Sequence, residues 1–361
     1  MGGAFALFDG HEQVVYGADD ETGLRCIIAI HSTALGPSLG GTRFYPYDSE
    51  KEALVDALRL SRAMTYKAAC AGLDLGGGKA VIVGEPSSTK SEPLLRAYGR
   101  IVESLNGRYI TACDVGTYPQ DMEVVARECH WVTGMDEAHG GSGDSGITTA
   151  YGIFVALQAL AVALWGDHNL AGRHVAIQGL GKVGARLAAH LAHAGVKLTV
   201  ADIDSELVDR VITGSGAEAV EPDEVYDVEA DILSPNALGA VLNERTIPRL
   251  KVAGICGGAN NQLATPEDAM RLREGGILYA PDYVVNVGGL VQVADELLPG
   301  GYSAERTRAK ARQIGDTLRE VLSLADRLGL TTEAAAAQVA ERRIAAVSRI
   351  RRFHLRAQAR S

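Results

Sequence analysis

Lys79 follows three consecutive glycines (positions 76–78), and this arrangement is the first feature of the sequence that indicates chemistry. Glycines let a backbone approach a ligand closely, and the lysine places an amine over that approach. A phosphate-binding loop is excluded, because it needs glycine six positions before the lysine and serine or threonine after it. Leu73 and Ala80 occupy those positions. The alternative that this segment leaves open is a glycine-rich turn before a strand, with an exposed lysine.

Two further charged residues, Lys67 and Asp114, stand near the ends of predicted elements. Lys67 lies near the end of a helix predicted over 50–71, and Asp114 ends a strand predicted over 108–114. Two lysines and an aspartate suit an amino acid substrate. One ammonium pairs with the α-carboxylate, the other amine acts as a base if burial and a like charge lower its pKa, and the aspartate exchanges protons with the α-amine. The alternative is three ordinary surface charges.

A dinucleotide-binding fingerprint lies in the second half of the chain. The segment GLGKVG follows a strand predicted over 174–178 and precedes a helical pattern. Its glycines permit a tight turn that brings a pyrophosphate to the helix N-terminus. Asp202 ends the next strand, where a carboxylate accepts hydrogen bonds from ribose hydroxyls and repels the 2′-phosphate of NADP. NAD is therefore the predicted cofactor, and the alternative is a Rossmann domain that binds none. The predicted cofactor-binding residues here are Gly179, Leu180, Gly181, Lys182, Val183, Gly184 and Asp202.

The order of elements predicts an α/β fold with two domains. Strands alternate with helical patterns from residue 174 to 280, which is typical of a parallel, doubly wound sheet. Glycine, serine and aspartate cluster at 140–146 and indicate a domain boundary. We therefore predict an N-terminal α/β substrate domain over 1–145 and a Rossmann-type doubly wound dinucleotide-binding domain over 146–325. The uncharged segment 147–165 is predicted to be a buried helix rather than a membrane span.

Composition narrows the class of protein. The 361 residues suffice for two domains, and a formal net charge of −10 argues against a nucleic-acid partner. The five cysteines are scattered without a CxxC pair, which fits a reduced, cytoplasmic compartment, and no metal site is predicted. The segment MGGAFALFDG has no basic region of a signal peptide, and no membrane partner is predicted.

Eight motifs, in order, make the chain resemble the Glu/Leu/Phe/Val amino acid dehydrogenase family. They cover roughly residues 10–325 and are LGPSLGGTR, MTYK, DLGGGKAVIVG, TACDVGT, SGITTAYG, GLGKVG, CGGANNQL and YAPDYVVNVGG. The similarity is greatest to the short branched-chain and phenylalanine members, particularly the bacterial valine-type enzymes. One departure from the family pattern is CGG at 256–258 before Ala-Asn-Asn, where the family has glycine followed by serine or alanine.

The resemblance implies a role for each matching residue. Lys79 activates water for attack on the imino acid, and Asp114 handles the protons of the amine. The residues implied to contact the substrate backbone or line its cleft are Lys67, Asn261, Gly40 and Gly41. Those implied to form an apolar side-chain pocket are Leu39, Ala112, Leu290 and Val293. Those implied to hold the nicotinamide half of the cofactor are Thr148 and Asn260.

The implied reaction is reversible, NAD-dependent oxidative deamination of a valine-like, branched-chain L-amino acid to the 2-oxo acid, ammonia and NADH. Leucine or phenylalanine dehydrogenase of the same family is the nearest alternative. An inactive NADH-binding sensor is the alternative from another class, and the presence of both Lys79 and Asp114 argues against it. The resemblance also implies a homo-oligomer, with C-terminal helices over 326–361 packing back on the first domain.

Overall fold

The computed structural model describes residues 4–350, which divide into two compact units. Unit 1 contains the described residues up to Gly143, the segment Glu296–Tyr302 and the described residues from Ala340 onward. Unit 2 contains Asp144–Asp295 and Ser303–Val339. Each unit has its own sheet, so the molecule has two α/β units, as the order of elements predicted.

Unit 1 is built on a five-stranded mixed sheet. Its strands are β1 (Gln13–Asp19), β2 (Leu24–Ser32), β3 (Ser38–Tyr45), β4 (Gly76–Val83) and β5 (Tyr109–Cys113), and its helices are α1 (Glu50–Cys70), α2 (Pro86–Thr89), α3 (Glu92–Glu103) and α4 (Pro119–Ala126). The strand order is β1-β2-β4-β3-β5, with β3 parallel to both of its neighbours and β2 antiparallel to both of its own. β3 therefore lies between β4 and β5.

Helix α1 covers one face of this sheet because its apolar residues recur at helical spacing. Ser49 caps its N-terminus by accepting a hydrogen bond from the backbone of Glu52, at 3.2 Å. Its apolar stripe packs against alternate residues of the central strands; the cluster comprises Ala53, Leu54, Ala57, Leu58, Ile27, Ala29 and Val81. Full burial of each leucine contributes about 1.5–3 kcal/mol. The helix thereby fixes Lys67, in its last turn, over the same face.

The three glycines before Lys79 are the first residues of β4 and not a turn. The alternative of a glycine-rich turn with an exposed lysine is therefore wrong, since the glycines lie within the strand and Lys79 is buried. One of them, Gly77, leaves room for helix α1. A Cβ on Gly77 would lie 2.5 Å from the carbonyl oxygen of Ser61 and would also collide with the backbone of Thr65. Without a side chain at Gly77, α1 can pack directly on the strand.

Unit 2 is built on a six-stranded, wholly parallel sheet. Its strands are β6 (His174–Gln178), β7 (Lys197–Ala201), β8 (Glu218–Ala219), β9 (Ile232–Pro235), β10 (Gly254–Ile255) and β11 (Leu278–Tyr279), and its helices are α5 (Gly146–Trp165), α6 (Gly184–His193), α7 (Ser205–Ser215), α8 (Glu267–Glu274), α9 (Asp282–Val285), α10 (Gly288–Asp295), α11 (Ala304–Leu328) and α12 (Thr332–Ile350), of which the last continues into unit 1. The order β11-β10-β9-β6-β7-β8 reverses direction at β6, as in a doubly wound dinucleotide-binding sheet.

The last third of the chain is divided differently from the prediction. The return to unit 1 begins at Ala340 rather than at residue 326, and Glu296–Tyr302 also belongs to unit 1. The first turns of α12 stay with unit 2, where Tyr283 donates a hydrogen bond to the carbonyl of Glu333. Later in α12, Glu341 already belongs to unit 1, where it accepts a hydrogen bond from the hydroxyl of Tyr66. The part of the predicted return over 351–361 lies outside the described residues.

Helix α5 is the only helix within residues 4–350 that is long and apolar enough to cross a membrane by length and composition. Its most apolar window has a mean hydropathy of 1.9, and half of that window is buried. In unit 2 it packs against α10, α11 and α6.

Candidate active site

Strand register gathers the candidate catalytic residues on one face of the unit 1 sheet. Gly41 of β3 pairs with Ala112 of β5, and Leu39 of β3 pairs with Gly77 of β4. Because residues two apart on a strand point to the same face, Leu39 and Gly41 share a face with Lys79 and Ala112. Asp114 follows the end of β5, one residue beyond the last paired position.

Lys79 and Asp114 are in direct contact on this face. Lys79 is only 6% exposed, and its Nζ donates a hydrogen bond to Oδ2 of Asp114. Burial, and next the positive charge of Arg43, lower the pKa of Lys79 to about 7, and Lys67 adds to this shift. A substantial fraction of the amine is therefore neutral near pH 7 and able to accept a proton. Burial and a nearby like charge, the two conditions that a lysine base needs, are both met at Lys79.

A tight turn holds Asp114 in place. Its backbone N–H donates to Oγ1 of Thr117, at 2.9 Å, and that hydroxyl donates to the carbonyl of Thr42 on β3, at 2.7 Å. Gly41 leaves room for this turn, since a Cβ there would lie 2.9 Å from the Cβ of Asp114 and would collide with the carbonyl of Cys113. Asp114 is thus fixed by the backbone as well as by Lys79.

Two charged residues beside this pair, Arg43 and Asp56, were not predicted from the sequence. Arg43 places Nε 3.5 Å from Oδ2 of Asp114 and Nη1 2.8 Å from Oδ2 of Asp56 on α1. Arg43 ends the motif LGPSLGGTR and lies two residues after Gly41. Strand alternation was the signal that could have placed it on the face of Lys79. No signal in the sequence pairs it with Asp56.

The predicted substrate residues are divided between the two units. Leu39 and Ala112 are buried in unit 1, Gly40 and Gly41 lie within β3, and Lys67 is half-buried on α1. Leu290 and Val293 lie on α10 in unit 2, where Leu290 is buried. Asn261 is exposed in unit 2 and has a φ of +52°, a left-handed conformation that asparagine tolerates better than most residues.

The GLGKVG segment forms a loop from β6 into α6, and its geometry fits a dinucleotide. Gly179 has a φ of +89°, which makes the turn, and a Cβ on Gly181 would meet nothing within 4 Å. The open space at Gly181 admits a pyrophosphate to the loop. Helix α6 begins at Gly184 without a side-chain cap, which leaves its first N–H groups available to an anion. Lys182 and Val183 complete the loop.

Asp202 is held at the end of β7. Its Oδ2 accepts a hydrogen bond from the backbone of Leu180, at 2.5 Å, and its Oδ1 accepts one from Asp204, at 2.9 Å. These contacts place an oriented carboxylate beside the glycine loop, as a ribose-binding residue requires. Asp204 itself caps α7 by accepting from the backbones of Glu206 and Leu207.

A second polar group in unit 2 surrounds the residues predicted to hold the nicotinamide. Thr148 donates its hydroxyl to Oε1 of Gln292, and Asn286 donates to Oδ1 of Asn260, at 2.8 Å. Gln292 and Asn286 are almost fully buried. Neither residue was predicted from the sequence, although Asn286 lies in the motif YAPDYVVNVGG. Among the described residues, no group of three or more His, Cys, Asp or Glu side chains could hold a metal ion.

Comparison with known proteins places this arrangement in a family. Residues 11–131 match the Glu/Leu/Phe/Val dehydrogenase dimerisation domain, and residues 140–214 and 204–352 match the Glutamate/Leucine/Phenylalanine/Valine dehydrogenase domain. The chain is 53% identical over 340 residues to a valine dehydrogenase of Streptomyces coelicolor, covering 93% of each chain. It is 49% identical over 346 residues to a leucine dehydrogenase of Bacillus cereus, covering 96% of this chain and 94% of that one.

A solved structure agrees with these sequence matches. The crystal structure of L-tryptophan dehydrogenase from Nostoc punctiforme superposes with a TM-score of 0.85 at 44% identity, covering 94% of this chain and 97% of that one. The predicted family, two-domain α/β fold and class of enzyme are confirmed. With the Lys79–Asp114 pair on one unit and a loop shaped for NAD on the other, the chain belongs to the Glu/Leu/Phe/Val dehydrogenase family and is an NAD-dependent amino acid dehydrogenase.

Proposed function

We propose that this enzyme oxidatively deaminates a branched-chain L-amino acid, with valine preferred, and that Lys79 and Asp114 perform the proton transfers. The observation that carries the proposal is the contact between a buried amine whose pKa is lowered to about 7 and a fixed carboxylate. Such a pair can accept and return protons at neutral pH.

Each charged residue has a separate task in this proposal. The ammonium of Lys67 binds the substrate carboxylate throughout the reaction. Asp114 accepts a proton from the substrate α-ammonium, since only a neutral amine carries the electron pair that forms an imine. Lys79 takes a proton from the water that attacks the imino carbon. Asp114 then returns a proton to the amine as ammonia leaves.

NAD, when bound, supplies the acceptor for the hydride of the substrate Cα. Gly179, Gly181 and Gly184 would hold its pyrophosphate through backbone N–H groups, and Asp202 would bind its ribose hydroxyls. The nicotinamide half is assigned to Thr148 and Asn260 from the family resemblance. Their buried partners in unit 2, Gln292 and Asn286, support this assignment because they fix both side chains.

The preference for valine rests on four apolar residues. Leu39, Ala112, Leu290 and Val293 are the pocket residues implied by the family, and none of them can pair with the distal carboxylate of glutamate. An unpaired carboxylate is costly to bury, so glutamate is rejected. Similar relatives include valine and leucine dehydrogenases, and this similarity supports a branched-chain substrate.

Two broader properties are also part of the proposal. The enzyme is a homo-oligomer, because the domain matched over residues 11–131 is described as a dimerisation domain. It works in a reducing, cytoplasmic compartment, which is supported by five free cysteines among the described residues, four of them buried.

The test is NADH formation by purified wild type and Lys79→Ala with valine, leucine, phenylalanine, tryptophan and glutamate, beside a no-substrate control. Wild type should be most active with valine, and Lys79→Ala should lose about 10²–10⁴-fold in kcat, the usual scale for a lost general base. Lys51→Ala is the matched control, since Lys51 is an exposed lysine of unit 1. Turnover of Lys79→Ala near the wild-type rate refutes the role of Lys79. NADH binding without turnover of any substrate favours the sensor.

A further inference from the structure

Arg43 lies between two carboxylates in unit 1. Its Nε is 3.5 Å from Oδ2 of Asp114, the same oxygen that receives the Lys79 ammonium, and its Nη1 is 2.8 Å from Oδ2 of Asp56. The side chains of Arg43 and Asp56 are 24% and 15% exposed. A planar guanidinium in this place has little freedom to turn away from either carboxylate.

Asp56 is a strong anchor for this guanidinium. It also accepts hydrogen bonds from the hydroxyl of Tyr47, at 2.7 Å, and from Nη2 of Arg59, at 3.1 Å. Burial opposes ionisation of Asp56, but the hydrogen bond from Tyr47 and the charge of Arg43 together hold its pKa below the usual value. Asp56 is therefore an ionised, oriented partner that fixes one edge of Arg43.

The other edge of Arg43 is turned toward Asp114. Its Nε is buried and has no partner within hydrogen-bond geometry among the described residues, and Oδ2 of Asp114 lies 3.5 Å from it. A buried donor without a hydrogen bond is costly. A small movement of Asp114, or a substrate group between the two, would satisfy it.

We propose that Arg43 is a positioning residue of the reaction, which holds the Asp114 carboxylate against the Lys79 side chain. Asp56 and Tyr47 hold Arg43 in place for this task. The inference rests on the roles proposed above for Lys79 and Asp114.

The charges that face Lys79 determine the direction of the expected effects. Arg43 projects from β3, Lys67 and Asp56 from α1, and Asp114 from the end of β5. On β2, the residue paired with Lys79 is the uncharged Ala29. Arg43 and Lys67 disfavour the ammonium, whereas Asp56 favours it. Loss of Arg43 should therefore raise the pKa of Lys79, and loss of Asp56 should lower it.

The experiment compares the pH dependence of kcat/KM for Arg43→Gln, Arg43→Lys and Asp56→Asn with wild type. In Arg43→Gln the acidic limb of the kcat/KM profile should move to higher pH by about 0.5–1 unit. At a pH below the limb, kcat/KM should therefore fall about three- to tenfold, and raising the pH should restore part of this loss. The plateau should also fall, because Asp114 is less well held. Arg43→Lys should keep the limb near its wild-type position but not restore the plateau. Asp56→Asn should move the limb in the opposite direction.

Arg96→Gln is the matched control. Arg96 is a comparably exposed arginine of unit 1 that pairs with Glu92 and Glu128 on the helical surface. Its replacement should leave the pH profile unchanged. Circular dichroism and thermal melting establish that each variant is folded, and Asp56→Asn and Arg43→Lys carry the test if Arg43→Gln does not fold.

The variant Lys79→Ala is included to distinguish a failure of the inference about Arg43 from a failure of the proposed function. If Lys79→Ala is inactive and a folded Arg43→Gln shows the wild-type limb, the inference about Arg43 is overturned while the proposed function stands. If Arg43→Gln loses activity equally at every pH, its role is structural and the inference is again overturned. Normal turnover of Lys79→Ala refutes the proposed function itself.

Discussion

The Nζ of Lys79 and the Oδ2 of Asp114 are in contact across strand β3, although 35 positions separate the two residues in the sequence. Lys79 lies on β4 and Asp114 follows β5, and β3 runs between these strands. Gly41 is the β3 residue beside the contact, where a side chain would collide with the backbone before Asp114. A missing side chain on the middle strand thus allows a lysine and an aspartate on its two neighbours to meet.

The first prediction concerns the pH dependence of the wild-type enzyme. Lys79 acts as a base only when neutral, and its pKa is lowered to about 7 by burial and by Arg43. As pH falls below about 7 the amine is protonated, so kcat/KM for deamination should fall about tenfold per pH unit. The measurement is kcat/KM for valine between pH 5.5 and 9. The pKa of an amine depends strongly on temperature, whereas that of a carboxyl group hardly does, so the acidic limb should shift with temperature. A limb that stays in place would show that a group other than Lys79 causes it.

The second prediction concerns Lys67. Its ammonium binds the substrate carboxylate before and during the reaction, so its removal weakens both states alike. Lys67→Ala should therefore raise KM for valine by at least about tenfold and change kcat much less. Steady-state kinetics of Lys67→Ala and of the control Lys51→Ala measure this difference. An unchanged KM in Lys67→Ala would remove Lys67 from the substrate site.

The third prediction concerns the choice of cofactor. The carboxylate of Asp202, fixed by the backbones of Leu180 and Asp204, would lie against the 2′-phosphate of NADP. Asp202→Ser removes this charge and should reduce the preference for NAD over NADP by about tenfold or more. NAD should bind more weakly because its ribose loses a hydrogen-bond acceptor, and NADP should bind better because its 2′-phosphate is no longer repelled. The measurement is kcat/KM for both cofactors, with Asp209→Ser, an exposed aspartate on α7, as control. A wild type that uses both equally contradicts the assignment.

Much of the fold followed from periodicity. The predicted helix over 50–71 is α1, the uncharged segment over 147–165 is α5, and the strand over 174–178 is β6. Helix α1 could be predicted because its apolar residues recur at helical spacing, and α5 and β6 because each is a continuous, largely apolar run of the expected length. The glycine-rich start of β4 could not be predicted in this way, because the intrinsic preference of glycine argues against a strand. Gly77 is explained only by the helix α1 that packs on it.

The candidate site was predicted less completely than the fold. The chemistry of Lys79 depends on burial, on Arg43 and on Asp56, and the last two approach each other only because α1 packs over β3. Periodicity gives the face that an element buries but not the element that covers it. Gln292 was missed for the same reason, since only the packing of α10 on α5 brings it to Thr148.

The last prediction concerns the substrate side chain. Leu290 is buried on α10, and the family resemblance assigns it to the pocket for that side chain. If the assignment is right, shortening it lengthens the pocket. Leu290→Ala should then raise kcat/KM for leucine and phenylalanine relative to valine, by about 10–200-fold at most, because one methylene in a pocket contributes about 1–3 kcal/mol.

The control for this experiment is Val291→Ala, which removes a buried side chain from the same helix. Leu290→Ala removes three buried carbons from α10 and Val291→Ala removes two, so both should lower the melting temperature, but only Leu290→Ala should change the order of substrates. The measurement is kcat/KM for valine, leucine and phenylalanine in wild type and in each variant. An equal change in both would mean that a loosened α10, and not the shape of the pocket at Leu290, alters the preference. A folded Leu290→Ala with the wild-type order would remove Leu290 from the pocket.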